Sequence, residues 1–113
     1  MSQGYVTTGP RNATVLLGLD VTLQCMTNLS EPVDWYYRSS NTAQVEYIAA
    51  SGRIQPQSHE RYVMVKEPVG SYDLVIHNAQ SRDTGWYQCV DDAGIGMKSE
   101  QAYLQVVTGM LIM

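Results

Sequence analysis

No phenylalanine occurs in this 113-residue sequence, and cysteine, histidine and tryptophan occur only twice each. Two cysteines are too few for a structural zinc site, and the 63 residues between Cys25 and Cys89 exclude a C-x-x-C redox pair. Charged residues are scarce at 16%, and seven Lys and Arg against eleven Asp and Glu leave a net charge of −4. That balance argues against a phosphate-backbone footprint, so nucleic acid is not expected as a partner. No apolar run approaches the ~18–20 residues that cross a membrane, so no direct membrane insertion is expected from this segment. Met1 is followed by Ser-Gln-Gly, with neither the basic start nor the apolar stretch of a secretory leader. Internal repeats and low-complexity segments are absent as well.

What remains describes a single globular unit. A hydrophobic content of 44% is too high for a disordered chain, and the length suits one domain of ~100–150 residues. A chain of this mass buries about two-thirds of its surface on folding, enough for one modest core. Tyrosine appears eight times, and so small a core cannot bury eight phenol oxygens without partners, so several tyrosines are expected to face outward.

The two cysteines read most simply as one long-range disulfide, worth about 4 kcal/mol by loop-closure entropy. Two buried free thiols are the alternative. A disulfide requires an oxidising compartment. Two glycosylation sequons point the same way: Asn12-Ala13-Thr14 and Asn28-Leu29-Ser30. Together they predict an extracellular location, secreted or on the cell surface.

Helical periodicity is poor and strand signals dominate. Val21, Leu23 and Cys25 alternate with Asp20, Thr22 and Gln24, a period of two that turns one face to a core. Tyr72, Leu74 and Ile76 repeat the pattern, as do Tyr87 with Cys89, and Ala102, Leu104 and Val106. Further strands are expected at 13–17, 33–38, 45–49 and 61–66, with one helical turn near 79–83. Turn residues separate these runs at roughly 8–12-residue spacing, which predicts an all-β sandwich or barrel.

Trp35 follows Cys25 by ten positions, and Asp83-Thr84-Gly85-Trp86-Tyr87-Gln88-Cys89 reads D-x-G-x-Y-x-C. These residues resemble an immunoglobulin domain over about residues 4–107, with 1–3 an N-terminal tail and 108–113 a C-terminal tail or the start of a linker. The resemblance implies a sandwich of two antiparallel sheets bridged by Cys25 and Cys89, with the Trp35 indole packed on the bridge. It also implies that Tyr87 is the tyrosine corner, that Arg61 pairs with Asp83, and that Leu74 lies on a core strand. The cysteine spacing and the segments Trp35-Tyr36-Tyr37-Arg38 and Val45-Glu46-Tyr47-Ile48 resemble the variable type, with a C′ strand and a short C″ strand. Gly94-Ile95-Gly96 supplies the G-x-G of a joining segment, but Leu104-Gln105-Val106 follows too late. The ending Ala102-Tyr103-Leu104-Gln105-Val106 is similar to intermediate-set adhesion domains. The chain thus resembles lancelet-like variable or joining-like immune receptor domains and nephrin-like adhesion domains.

Catalytic chemistry has little to build on. His77 should point outward and His59 lies in an expected loop, and no motif places a nucleophile beside either. Asp91 and Asp92 are too few carboxylates for a calcium site. No enzyme activity, metal or cofactor is expected. If Trp35, Tyr87 and Cys89 face the core, alternation puts Tyr36, Arg38, Gln88 and Val90 on the outside of one sheet. Val45, Tyr47 and Ala49 are expected to join them, and Trp86 also alternates outward. This aromatic, weakly charged face has the composition of a protein interface. The resemblance implies pairing through it, by homodimerisation or with another protein, in an immune-type or adhesive receptor. Two alternatives stand beside that reading: a structural spacer in a multidomain ectodomain, and ligand binding by the loops at about 26–32, 50–53 and 91–98. A glycan on Asn28 would obstruct the first of those loops, whereas Asn12 is expected to be remote from both surfaces.

Overall fold

The computed structural model describes residues 6–27, 33–40, 44–50, 53–55, 60–91 and 101–108. Eleven strands run through them: β1 (Val6–Thr8), β2 (Ala13–Leu16), β3 (Val21–Leu23), β4 (Met26–Thr27), β5 (Val33–Ser39), β6 (Val45–Ala50), β7 (Arg53–Ile54), β8 (Tyr62–Val65), β9 (Asp73–Ile76), β10 (Gly85–Asp91) and β11 (Ala102–Val107). One sheet has the order β2-β11-β10-β5-β6-β7, and a second has the order β3-β9-β8. β1 pairs with β4 alone, while β2 runs parallel to β11. The N-terminal segment thus enters in two pieces, β1 in a two-stranded ladder with β4 and β2 at the edge of the six-stranded sheet. The two-residue β7 is the short C″ strand expected from the sequence.

Alternation decides which side chains fill the space between the sheets. Leu23, Leu74 and Ile76 from the small sheet meet Trp35, Tyr87, Cys89 and Leu104 from the large one, all buried. The Cys25–Cys89 disulfide joins the two sheets inside this cluster. The strand pattern read at residues 72–76 holds, with Tyr72 also buried.

The ladder changes partners beside the disulfide. Leu23 pairs with Leu74, and the Tyr72 amide donates to the Cys25 carbonyl at 2.8 Å. The return bond is redirected. The Tyr72 carbonyl accepts the Trp35 indole N–H at 2.9 Å, and the Cys25 amide donates to the Asp73 carboxylate at 2.9 Å. Asp73 therefore stands in for a strand carbonyl, which satisfies a backbone donor that burial would otherwise make costly. Gly70 sits hard against the same region, with a φ of +95° and Thr27 O only 2.9 Å from where a Cβ would lie. Only glycine meets both conditions at little cost.

The helical turn expected near 79–83 is a single 3-10 turn, Ser81–Asp83. It begins at Ser81 because Gln80 is extended, with φ −116° and ψ 160°, and serves as its N-cap. Its last residue, Asp83, is buried, and its carboxylate accepts four hydrogen bonds: from Arg61 Nη1 at 2.7 Å, Arg61 Nη2 at 3.0 Å, the Tyr62 hydroxyl at 2.8 Å and the Gln80 amide at 2.7 Å. Burial pushes the Asp83 carboxyl pKa up, but the hydrogen bonds from Arg61, Gln80 and Tyr62 outweigh it and hold the group below the ordinary carboxylate value. The Tyr87 hydroxyl donates to the Asp83 carbonyl at 2.6 Å, closing the tyrosine corner. No helix among the described residues is long and apolar enough to cross a membrane.

Candidate interaction face

β5 and β10 pair in register along their length, from Gly85 opposite Ser39 to Asp91 opposite Val33. Because Trp35, Tyr87 and Cys89 point into the core, their neighbours Tyr36, Arg38, Trp86, Gln88 and Val90 emerge on the other side. Register aligns these side chains into rows across the sheet. One row runs Tyr103, Trp86, Arg38, Val45, and the next runs Gln88, Tyr36, Tyr47. Val90 opposite Asp34 extends the face toward the loop end.

Each row is stitched together by its own aromatic contacts. Tyr36 and Tyr47 meet edge to face at 4.8 Å between ring centroids and 87° between planes. Trp86 packs against Tyr103 at 5.0 Å. The Arg38 guanidinium carbon stands 5.6 Å from the Trp86 ring centroid, while its Nη2 donates to Gln101 Oε1 at 3.1 Å. Aromatic pairs of this kind add about 0.5–1.5 kcal/mol beyond simple burial, and they hold the rings upright before any partner arrives. Val45 and Tyr47 remain 56% and 52% exposed. A shallow depression of about 50 Å³ separates the rows, with Tyr36, Arg38, Trp86 and Gln101 on its walls.

One sequence expectation for this face fails. Ala49 lies in the core, fully buried, instead of joining Val45 and Tyr47 outside. The cause is a bulge: Trp35 lies opposite Ala49 but Tyr36 lies opposite Tyr47, so Ile48 is an extra residue. An extra residue shifts the alternation by one, and Ile48 and Ala49 both turn inward. Asn12 is also not remote. Its Oδ1 accepts the Tyr103 backbone N–H at 2.8 Å, at the edge of this same sheet.

Tyr103 and Gln101 were absent from the sequence expectation for the face. The signal for Tyr103 was available, since Ala102 and Leu104 point inward and the residue between them must point out. Gln101 precedes β11 and has no strand period to place it. His77 faces outward as expected, its Nδ1 2.9 Å from Asp20 Oδ2. Asp20 Oδ1 accepts the Asn78 amide at 2.9 Å. That backbone bond, and then the one with His77, hold the Asp20 pKa below its ordinary value. Asn28, His59, Asp92 and most of the three loops considered as a binding end lie outside the described residues, and Asp91 is described for its backbone alone.

A larger cleft of about 700 Å³ opens at the other end of β5, beside Tyr37, Glu46, Arg61, Arg82 and Asp83. Four of its polar side chains, Tyr37, Arg61, Tyr62 and Asp83, are engaged internally. The Tyr37 hydroxyl lies 2.8 Å from both Arg82 O and Thr84 O, and Arg61 is held by Asp83. Burial raises the Tyr37 pKa, which keeps the phenol protonated as a donor. Among the described residues, no group of three or more His, Cys, Asp or Glu side chains could hold a metal ion.

A sandwich with this strand order, an inter-sheet disulfide, a buried Trp35 and a tyrosine corner defines the immunoglobulin class of domain. The family model of the immunoglobulin V-set domain matches residues 8–107, and the chain belongs to that family. V-set domains are generally non-enzymatic recognition modules and typically extracellular, which agrees with the Cys25–Cys89 bridge. No curated protein matches the sequence. Among solved structures, the chain is similar to one described as the crystal structure of Dpr1 IG1 bound to DIP-eta IG1. That match has a TM-score of 0.74 at 18% identity and covers 95% of this chain and 98% of the other. In all, 1984 chains of solved structures match, so the shared fold does not by itself select a partner.

Proposed function

We propose that this domain is an extracellular recognition module, adhesive or immune-type, that binds a protein partner across the outward face of the six-stranded sheet, with a second copy of the chain as the partner to test first. The observation that carries the reading is the upright Tyr36–Tyr47 pair beside an exposed Val45. Aromatic anchors ringed by polar groups are what interface hot spots are made of. Among the described residues this face carries the cations Arg38 and Arg53 and the carboxylate of Asp34, so its charge is sparse and of mixed sign. Four strands at ~4.8 Å spacing and seven residues at ~3.3 Å give a flat footprint of roughly 440 Å², which side-chain relief enlarges toward the ~800 Å² per partner of a standard interface. The similar structure supports the reading in kind, because its printed description has one such domain bound to another.

Sedimentation equilibrium tests it. Wild type should show a concentration-dependent dimer, and the Tyr36→Ala, Tyr47→Ala double variant should weaken it by about tenfold or more, equivalent to ~1.4 kcal/mol. A wild type that stays monomeric at high micromolar concentration, or a double variant that dimerises equally well, rejects the second-copy form.

A further inference from the structure

The sequon at Asn12 occupies a place on the sheet that gives it a consequence. Asn12 and Thr14 are both exposed. Asn12 Oδ1 is committed to the Tyr103 amide at 2.8 Å, and a backbone N–H can be answered only by the oxygen of a carboxamide, which fixes the orientation of the group. The nitrogen Nδ2 is thereby the free end. Attachment of a glycan forms a bond from Nδ2 to the anomeric carbon of the sugar, breaks that carbon's bond to the pyrophosphate of a lipid-linked oligosaccharide donor, and releases one Nδ2 proton. Oδ1 takes no part, so the hydrogen bond to Tyr103 survives modification.

The site also heads one of the two rows of the face. Ala13 lies opposite Leu104 in the parallel β2–β11 pair, so Asn12 stands beside Tyr103. From there the row continues through Trp86 and Arg38 to Val45. At ~4.8 Å per strand, Tyr103 is ~5 Å from Asn12, Trp86 ~10 Å and Val45 ~19 Å. Tyr47 is four strands away as well, and in the other row. We propose that Asn12 carries an N-linked glycan that screens Tyr103 and Trp86 and leaves the Tyr36–Tyr47 side of the face open. The consequence for binding, that a partner is steered to the β5–β6 side, rests on the function proposed above; the attachment and the screening do not.

The test uses the chain secreted from a glycosylating eukaryotic host. Peptide mapping by mass spectrometry should find the Asn12 peptide occupied, and an unoccupied Asn12 in folded, secreted protein overturns the proposal. Hydroxyl-radical footprinting of dilute, monomeric protein then compares wild type with Thr14→Ala, which removes the sequon and leaves Asn12 in place. Oxidation of Tyr103 and Trp86 should rise in the variant while that of Tyr47 stays unchanged. Equal oxidation of Tyr103 and Trp86 in both forms overturns the screening, as does an equal rise at Tyr47. Asn12→Asp keeps the acceptor for the Tyr103 amide and should match Thr14→Ala; a difference between the two would trace the effect to backbone disturbance and also overturn it. If every form stays monomeric by sedimentation, the second-copy reading fails while the footprint still decides the glycan's position.

Discussion

Replacing Asp83 with alanine removes the acceptor on which one end of the sandwich converges. The side chain is 2% exposed and its partner Arg61 17%. Loss of the carboxylate leaves the Arg61 guanidinium, the Tyr62 hydroxyl and the Gln80 amide without their shared acceptor. Breaking a buried ion pair from one side costs about 3–5 kcal/mol. Arg61 keeps two long contacts, to His77 O and Asn78 O at 3.3 Å each, which offset part of the loss and favour the lower figure. At about 2.1 cal/mol/K per residue, 113 residues give an unfolding entropy of roughly 0.24 kcal/mol/K, so 3 kcal/mol lowers Tm by about 12 °C. Scanning calorimetry at pH 7 with the disulfide oxidised measures this directly. Arg61→Met should recover part of the loss when combined with Asp83→Ala, because the stranded cation is then gone. The double variant should be more stable than the sum of the single losses by at least ~1 kcal/mol. A drop of less than ~4 °C for Asp83→Ala, or additivity within ~0.5 kcal/mol, would refute the reasoning.

Three further outcomes are expected. Tyr87→Phe removes the donor to the buried Asp83 carbonyl and should cost about 1–3 kcal/mol, read as the shift in the urea midpoint at unchanged slope; no shift would show the corner bond to be idle. Gly85→Ala would put a Cβ 2.6 Å from Arg38 O and 2.7 Å from Tyr37 Cε1, so a loss of about 1–3 kcal/mol is expected, and a neutral result would contradict the close approach of β10 to β5. Acid should act through Asp83: its folded pKa lies below the ordinary 3.8, so the unfolded chain binds the extra proton and stability falls as pH drops through that window. The stability gap between wild type and Asp83→Asn should therefore be constant from pH 7 to 5 and shrink below about pH 4, and a gap unchanged down to pH 3 would exclude Asp83 as the titrating group.

Much of this could be read before any fold was known, because some signals are local. Alternation at residues 72–76 and around Tyr87 and Cys89 names the core side of each strand regardless of what it pairs with. The D-x-G-x-Y-x-C run carries its corner within a few residues, since the Tyr87 hydroxyl reaches back only to Asp83. Arg61 and Asp83 were legible only through the resemblance, and the presence of Tyr62 on the same carboxylate was not legible at all.

By itself, then, the sequence determined the class of fold, the cysteine pair, the buried Trp35 and Tyr87, and the outward turn of Tyr36, Arg38 and Gln88. The strands follow from period-two alternation and the cysteine pair from there being two cysteines, while the burial of Trp35 and Tyr87, and with it the side their neighbours face, came from the resemblance. Tertiary structure alone decided whatever depends on register between distant strands. The bulge at Ile48 buried Ala49, Asp73 took the place of a carbonyl opposite Cys25, Tyr103 came to lie against Trp86, and Asn12 came to lie beside Tyr103. A slip of one residue in any pairing would reverse the side that every following residue faces, and no single strand's sequence records which pairing its neighbour will adopt.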